Sequence, residues 1–133
     1  MSKKILIVED NPQNMRLVEM ALSAESYFLL EATNGEEALE IAKQERPDLI
    51  IMDVQLPQMS GLEVTRKLRE IPEFNRTPII AVTAYAMKGD EEKALDAGCS
   101  AYLSKPIRAR ELPNLIAKML LQRQEEDKGY EGT

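Results

Sequence analysis

Polar and apolar positions along this chain alternate between two periods. Lys4 to Asp10, KILIVED, is apolar and largely β-branched through its centre, the pattern of a strand covered on both faces. From Asn11 the spacing becomes helical: Met15, Val18 and Leu22 share a stripe, with Asn11 at the N-cap and Pro12 at the first helical position. Tyr27 to Thr33 predicts a second strand, and NGEEALEIAKQE a second helix with Asn34 and Glu37 at capping-box spacing. PDLIIMD predicts a third strand; Ser60 and Glu63 form another box, starting a helix near Gly61 that carries Leu68 and Ile71. TPIIAVTA, entered through Pro78, predicts a fourth strand, and GDEEKALDAG a short helix with acids at its start and Gly98 as its stop. SAYLSKP predicts a short fifth strand. ARELPNLIAKMLLQRQEE predicts a last helix with Leu112, Leu115, Ile116 and Met119 on one face, and the polar DKGYEGT beyond it a frayed tail.

Five β-then-α units in succession require right-handed crossovers, hence a doubly wound α/β sandwich with a parallel sheet between helices. Ligands of such sheets lie outside the carboxyl ends of the strands. The residues expected there are Glu9 and Asp10 after the first strand, Asp53 after the third, Thr83 and Ala84 after the fourth, and Ser104, Lys105 and Pro106 after the fifth. Three carboxylates on one rim repel and resist desolvation unless cations compensate them. Lys105 offsets one charge, and Mg²⁺ suits a site of carboxylates, a carbonyl and waters that leaves room for a phosphoryl oxygen. Asp53 is then a candidate nucleophile for phosphoryl transfer. Singly, each residue also has a plain structural reading. Asp53 can open the turn before Pro57, Glu9 and Asp10 can be a solvated strand end, Thr83 suits a strand, and Lys105 can be solvated surface. Their joint arrival at one rim favours the functional reading.

Composition narrows the chemistry. A chain of 133 residues accommodates one domain with a real core. Its 23 acids against 17 bases, without a basic run longer than a dipeptide, disfavour nucleic acid and anionic membranes as partners. Cys99 is the sole cysteine, the residues after Met1 reach acids too soon for a secretory signal, and no apolar run spans a membrane, so a cytoplasmic location is expected. Histidine is absent, which leaves carboxylates, hydroxyls, lysines and a hard metal to do any chemistry.

ILIVEDNPQN, PDLIIMDVQLPQMSGLEV, TPIIAVTAYA and AGCSAYLSKPI together resemble the successive motifs of the receiver domain of two-component response regulators, from Lys3 to about Gln122. AYAMKGDEEKALDAGCSAYLSKPI is most similar to single-domain receivers of the DivK type. The resemblance implies a flavodoxin-like (βα)5 fold with strand order 2-1-3-4-5, a receiver over residues 1–122, and a polar tail over 123–133 with no effector domain. It implies Asp53 as phosphoacceptor, Asp10 as a metal ligand, Glu9 as an acidic partner acting directly or through water, and a backbone carbonyl of Gln55 on Mg²⁺. Thr83 and Lys105 are implied to contact the phosphoryl group, Tyr102 to be the switch aromatic, and the Lys105–Pro106 bond to be cis.

The expected function is a phosphorelay switch. It accepts a phosphoryl group from a phosphohistidine of a histidine kinase or phosphotransfer protein, and it alters a protein-binding face built from the fourth helix, fifth strand and fifth helix. Ala84, Ala86, Met87, Ala94 and Ala101 supply small or adaptable residues there. A passive phosphate sink is one alternative. Another is an aspartyl-nucleophile phosphohydrolase, which normally carries a second acid two residues after the nucleophile, where this chain has Gln55. A flavin carrier would need a phosphate-cradling loop and stacking aromatics, whereas DNPQNM lacks glycine and Trp is absent.

Overall fold

The computed structural model describes residues 2–84, 87–108 and 110–131, the last five as backbone only. Five strands, β1 (Lys4–Val8), β2 (Phe28–Ala32), β3 (Leu49–Asp53), β4 (Ile79–Thr83) and β5 (Ala101–Ser104), alternate with five helices. The helices are α1 (Pro12–Ala21), α2 (Gly35–Glu45), α3 (Gly61–Arg69), α4 (Asp90–Ala97) and α5 (Glu111–Glu131). All strand pairs are parallel and the order is β2-β1-β3-β4-β5, the expected doubly wound arrangement.

Strand periodicity splits the core into two layers, because successive side chains face opposite sides of the sheet. Leu6, Val8, Ile50, Met52, Ile79 and Ala81 pack with Ala38, Ala42, Val64, Leu68 and Ala94 of α2, α3 and α4. Ile5, Ile7, Leu49, Ile51, Ile80 and Val82 pack with Met15 and Val18 of α1, Leu22 beyond it, and Leu112 and Ile116 of α5. Both faces are therefore covered, and the polar chemistry is confined to the strand ends.

The helix starts follow the capping signals. Asn11 accepts from the Asn14 N–H at 3.0 Å, Asn34 from Glu37 at 2.8 Å, and Ser60 from Glu63 at 3.3 Å. The Glu37 carboxylate reaches back one residue further than a capping box requires, accepting from the Thr33 N–H at 2.7 Å. A 3-10 turn at Pro72–Phe74, which helical periodicity does not signal, buries Phe74 against the α3 layer. The tail expected to fray after Glu126 is instead helical to Glu131. Glu126 pairs with Arg76 at 3.4 Å on the surface, a contact that composition does not reveal. Ala86, expected on the adaptable face, lies outside the described residues. Among the described residues no helix is long and apolar enough to cross a membrane.

Candidate functional site

β1 ends at Val8 and β3 at Asp53, so the acids expected as strand termini stand on one rim. Carboxylate oxygens of Glu9, Asp10 and Asp53 lie within 4.8 Å of one another, with Glu9 and Asp53 buried and Asp10 exposed. β5 brings Lys105 across from the far side of the sheet. Its Nζ donates to Glu9 Oε1 at 2.8 Å and stands 3.6 Å from Asp53 Oδ2. Glu9 Oε2 accepts from the Asn11 N–H at 3.1 Å, so both Glu9 oxygens are engaged. The Lys105–Pro106 peptide is cis.

The loop after β3 is built around Asp53. Its Oδ1 accepts from the Gln55 N–H at 3.1 Å, while Gly61 N–H returns to Val54 O at 3.0 Å and closes the loop onto α3. A Cβ at Gly61 would lie 2.2 Å from the Asp53 carbonyl oxygen, so only glycine lets the α3 start approach this closely. The loop also holds Gln58 at φ 67°.

Two acids in one wall cannot both ionise cheaply. Burial and the adjoining Glu9 carboxylate push the Asp53 pKa up to about 7, against the pull of Lys105 and the Gln55 N–H. Glu9 is itself penalised by burial, but hydrogen bonds from Lys105, Asn11 and Asp53 hold its pKa below the ordinary value. Of the two, Glu9 is therefore the readier to ionise and Asp53 the readier to hold a proton. Hard, mostly anionic oxygens on one rim suit a small divalent cation such as Mg²⁺, and the strained ionisation of Asp53 is what a cation would relieve.

Thr83 is buried at the end of β4, where the Gln55 amide bridges to it: Nε2 donates to Thr83 Oγ1 at 2.5 Å and Oε1 accepts from the Ala84 N–H at 3.1 Å. This use of the Gln55 side chain was not legible in the sequence, where only its backbone carbonyl was implicated. Tyr102 is placed on β5 and packs against the α3 and α4 layer. Its buried hydroxyl has no hydrogen-bond partner among the described residues, and the residue lines a cavity of about 180 Å³ shared with Gln55, Thr83, Asp90 and Lys93. A larger cleft of about 570 Å³ lies at the opposite ends of the strands, among Lys3, Arg46, Phe74 and Thr77, away from the carboxylates. The geometry therefore gathers Glu9, Asp10, Asp53 and Lys105 directly, joins Thr83 to them through Gln55, and leaves Tyr102 one cavity away.

The family model described as response regulator receiver domain matches residues 5–117. The polar-differentiation response regulator DivK of Brucella anthropi is 53% identical over 107 residues, covering 80% of this chain and 87% of that one. A CheY-like receiver domain protein from Methanospirillum hungatei JF-1 superposes with a TM-score of 0.87 at 30% identity, over 95% of this chain and 99% of its own. The receiver domain of a sensor histidine kinase from Pseudomonas aeruginosa PAO1, solved with a magnesium ion coordinated in its active-site cleft, gives a TM-score of 0.83 at 38% identity, over 90% of this chain and 98% of that one.

Proposed function

This chain belongs to the response regulator receiver domains, and from that premise we propose that it is a phosphoryl-accepting switch with Asp53 as the acceptor. The observation that carries the reading is the meeting of Glu9, Asp10, Asp53 and Lys105 on one rim from three separate strands. Residues 1–122 are the receiver in this reading and 123–133 a polar C-terminal tail, working in the cytoplasm.

An oxygen of the ionised Asp53 carboxylate attacks the phosphorus of a phosphohistidine. A P–O bond forms, the P–N bond breaks, and the departing imidazole nitrogen keeps the electron pair. The chain contains no histidine, so the donor lies outside it, on a histidine kinase or phosphotransfer protein. Asp10, Asp53, the Gln55 carbonyl and Glu9, directly or through water, are the groups that would hold Mg²⁺. The ion supplies positive charge that favours ionised Asp53 and offsets charge on the transferred oxygens. Lys105, shared between Glu9 and Asp53, can turn to a phosphoryl oxygen, and Thr83 can donate its hydroxyl to another. Gln55, two residues after Asp53, offers no carboxyl for general acid or base work, which opposes the phosphohydrolase reading.

The output is a changed protein-binding surface on α4, β5 and α5, reached through Thr83 and Tyr102. The cavity between them supports this, since repacking needs space and a side chain not already fixed by hydrogen bonds. Hydrogen exchange with Mg²⁺ and beryllofluoride, a mimic of the phosphoryl group, tests it. Altered exchange from Met87 to Lys105 is expected, and changes confined to the Asp53 loop would reduce the protein to a phosphate sink.

A further inference from the structure

Gln55 spans the gap between Asp53 and β4. Its backbone N–H holds Asp53 Oδ1 at 3.1 Å, and its side-chain amide crosses to Thr83 Oγ1 at 2.5 Å and the Ala84 N–H at 3.1 Å. The Ala84 N–H can only donate, so it takes the amide oxygen, and the amide nitrogen is left to donate to the hydroxyl. Asp53 stands opposite Val82 in the β3–β4 register, so Thr83 and Ala84 are the next β4-side groups beyond the acid. A phosphoryl group adds strongly accepting oxygens, whose need is for donors. On the β4 side those donors are the Thr83 hydroxyl and the Ala84 N–H: the glutamine oxygen already occupies the Ala84 N–H, while the glutamine N–H fills an acceptor site of the Thr83 oxygen and leaves the hydroxyl hydrogen to donate.

We propose that the Gln55 side chain is a clasp on the β4 rim of the unphosphorylated protein, which a phosphoryl group on Asp53 must displace; this rests on Asp53 being the acceptor. On displacement the Ala84 N–H exchanges a glutamine oxygen for a phosphoryl oxygen, and Thr83 Oγ1 gives up the hydrogen bond it accepts from the glutamine amide. The amide can move without a large desolvation cost, because Gln55 is exposed and lines the same cavity as Tyr102. Tyr102, which also lines that cavity, carries a buried hydroxyl without a partner among the described residues, so a polar group lies near the released amide. Gln55 is therefore a positioning residue, acting on phosphoryl recognition through Thr83 and Ala84. It sets how much of the phosphoryl group's interaction is spent on opening the resting rim.

Gln55→Ala removes the clasp, and Gln55→Asn keeps an amide one methylene too short to reach both groups. In metal-free protein, hydrogen exchange at the Ala84 amide should accelerate in both variants. With saturating Mg²⁺, both should bind beryllofluoride about three- to tenfold more tightly than wild type, the scale of one or two neutral hydrogen bonds no longer broken. Unchanged or weaker beryllofluoride binding overturns the clasp, as does unchanged Ala84 exchange. Separate Mg²⁺ titrations close one escape: tighter binding that merely tracks a gain in metal affinity also overturns it. Failure of the acceptor reading is distinguishable, since Asp53→Asn would then bind beryllofluoride as wild type does, whatever Ala84 shows.

Discussion

Asp53 is an acid with 3% exposure beside Glu9 with 4%, and that pairing makes the metal-free protein pH-sensitive in a definite direction. An unfolded aspartate titrates near 3.9, whereas folded Asp53 does so at about 7. The folded state therefore binds the extra proton: stability from protonated Asp53 is full below about pH 4 and is lost as pH rises through about 7. Glu9, lowered, has the opposite sign, its contribution being lost on acidification through its own folded pKa. In EDTA, wild type should lose thermal stability between pH 5.5 and 8, while Asp53→Asn should follow a flatter curve. At pH 8 the variant should be more stable by on the order of 1 kcal/mol or more, a few degrees in Tm. Parallel melting curves would remove the shared proton from the account. Asp53, Asp10 and Lys105 were legible in the sequence because each interrupts a strand's apolar pattern at its carboxyl end. The Gln55 clasp was not, because no periodicity dictates where a loop amide turns.

Between elements, Arg69 carries a comparable hidden role. In the sequence it is one of three bases in the last turn of α3; in the fold its guanidinium ties that helix to two other segments. Nε donates to Gly98 O at 2.9 Å, and Nη1 to Phe74 O at 2.6 Å and Thr77 O at 2.7 Å. Gly98 has φ 112°, and a Cβ there would meet Arg69 Cγ at 2.7 Å, so the α4 stop and the arginine fit each other. Arg69→Ala should cost about 2–4 kcal/mol in urea unfolding, because it leaves the part-buried carbonyls of Gly98 and Thr77 to find other donors and leaves Phe74 O with the 3.4 Å Thr77 N–H. Arg69→Lys should recover only part of that, since one ammonium lacks the planar fork. A loss below about 0.5 kcal/mol would mean that water replaces the guanidinium fully. Helix starts were readable because a cap is a local event of three or four residues. The 3-10 turn and the helical run beyond Glu126 were not, since the turn goes with Phe74 packing on residues distant in sequence and the polar run after Glu126 carries no apolar stripe to mark a helix.

At the scale of the molecule, the β-then-α succession was sufficient for the parallel sheet, and alternating strand residues for its two layers. What succession alone leaves open is the pairing of Lys105 with Glu9 across 96 residues, which requires the strand order as well. That order sets the first and fifth units on opposite sides of β3 and brings their ends toward the acid between them. The central claim is that this convergence makes Asp53 a phosphoryl acceptor. Its most direct test is intact-mass spectrometry after incubation with acetyl phosphate, a small donor that needs no partner protein. Wild type with Mg²⁺ should gain one phosphate, and neither wild type in EDTA nor Asp53→Asn with Mg²⁺ should gain any. Labelling that persists in Asp53→Asn, or no labelling of wild type with Mg²⁺, would contradict the account.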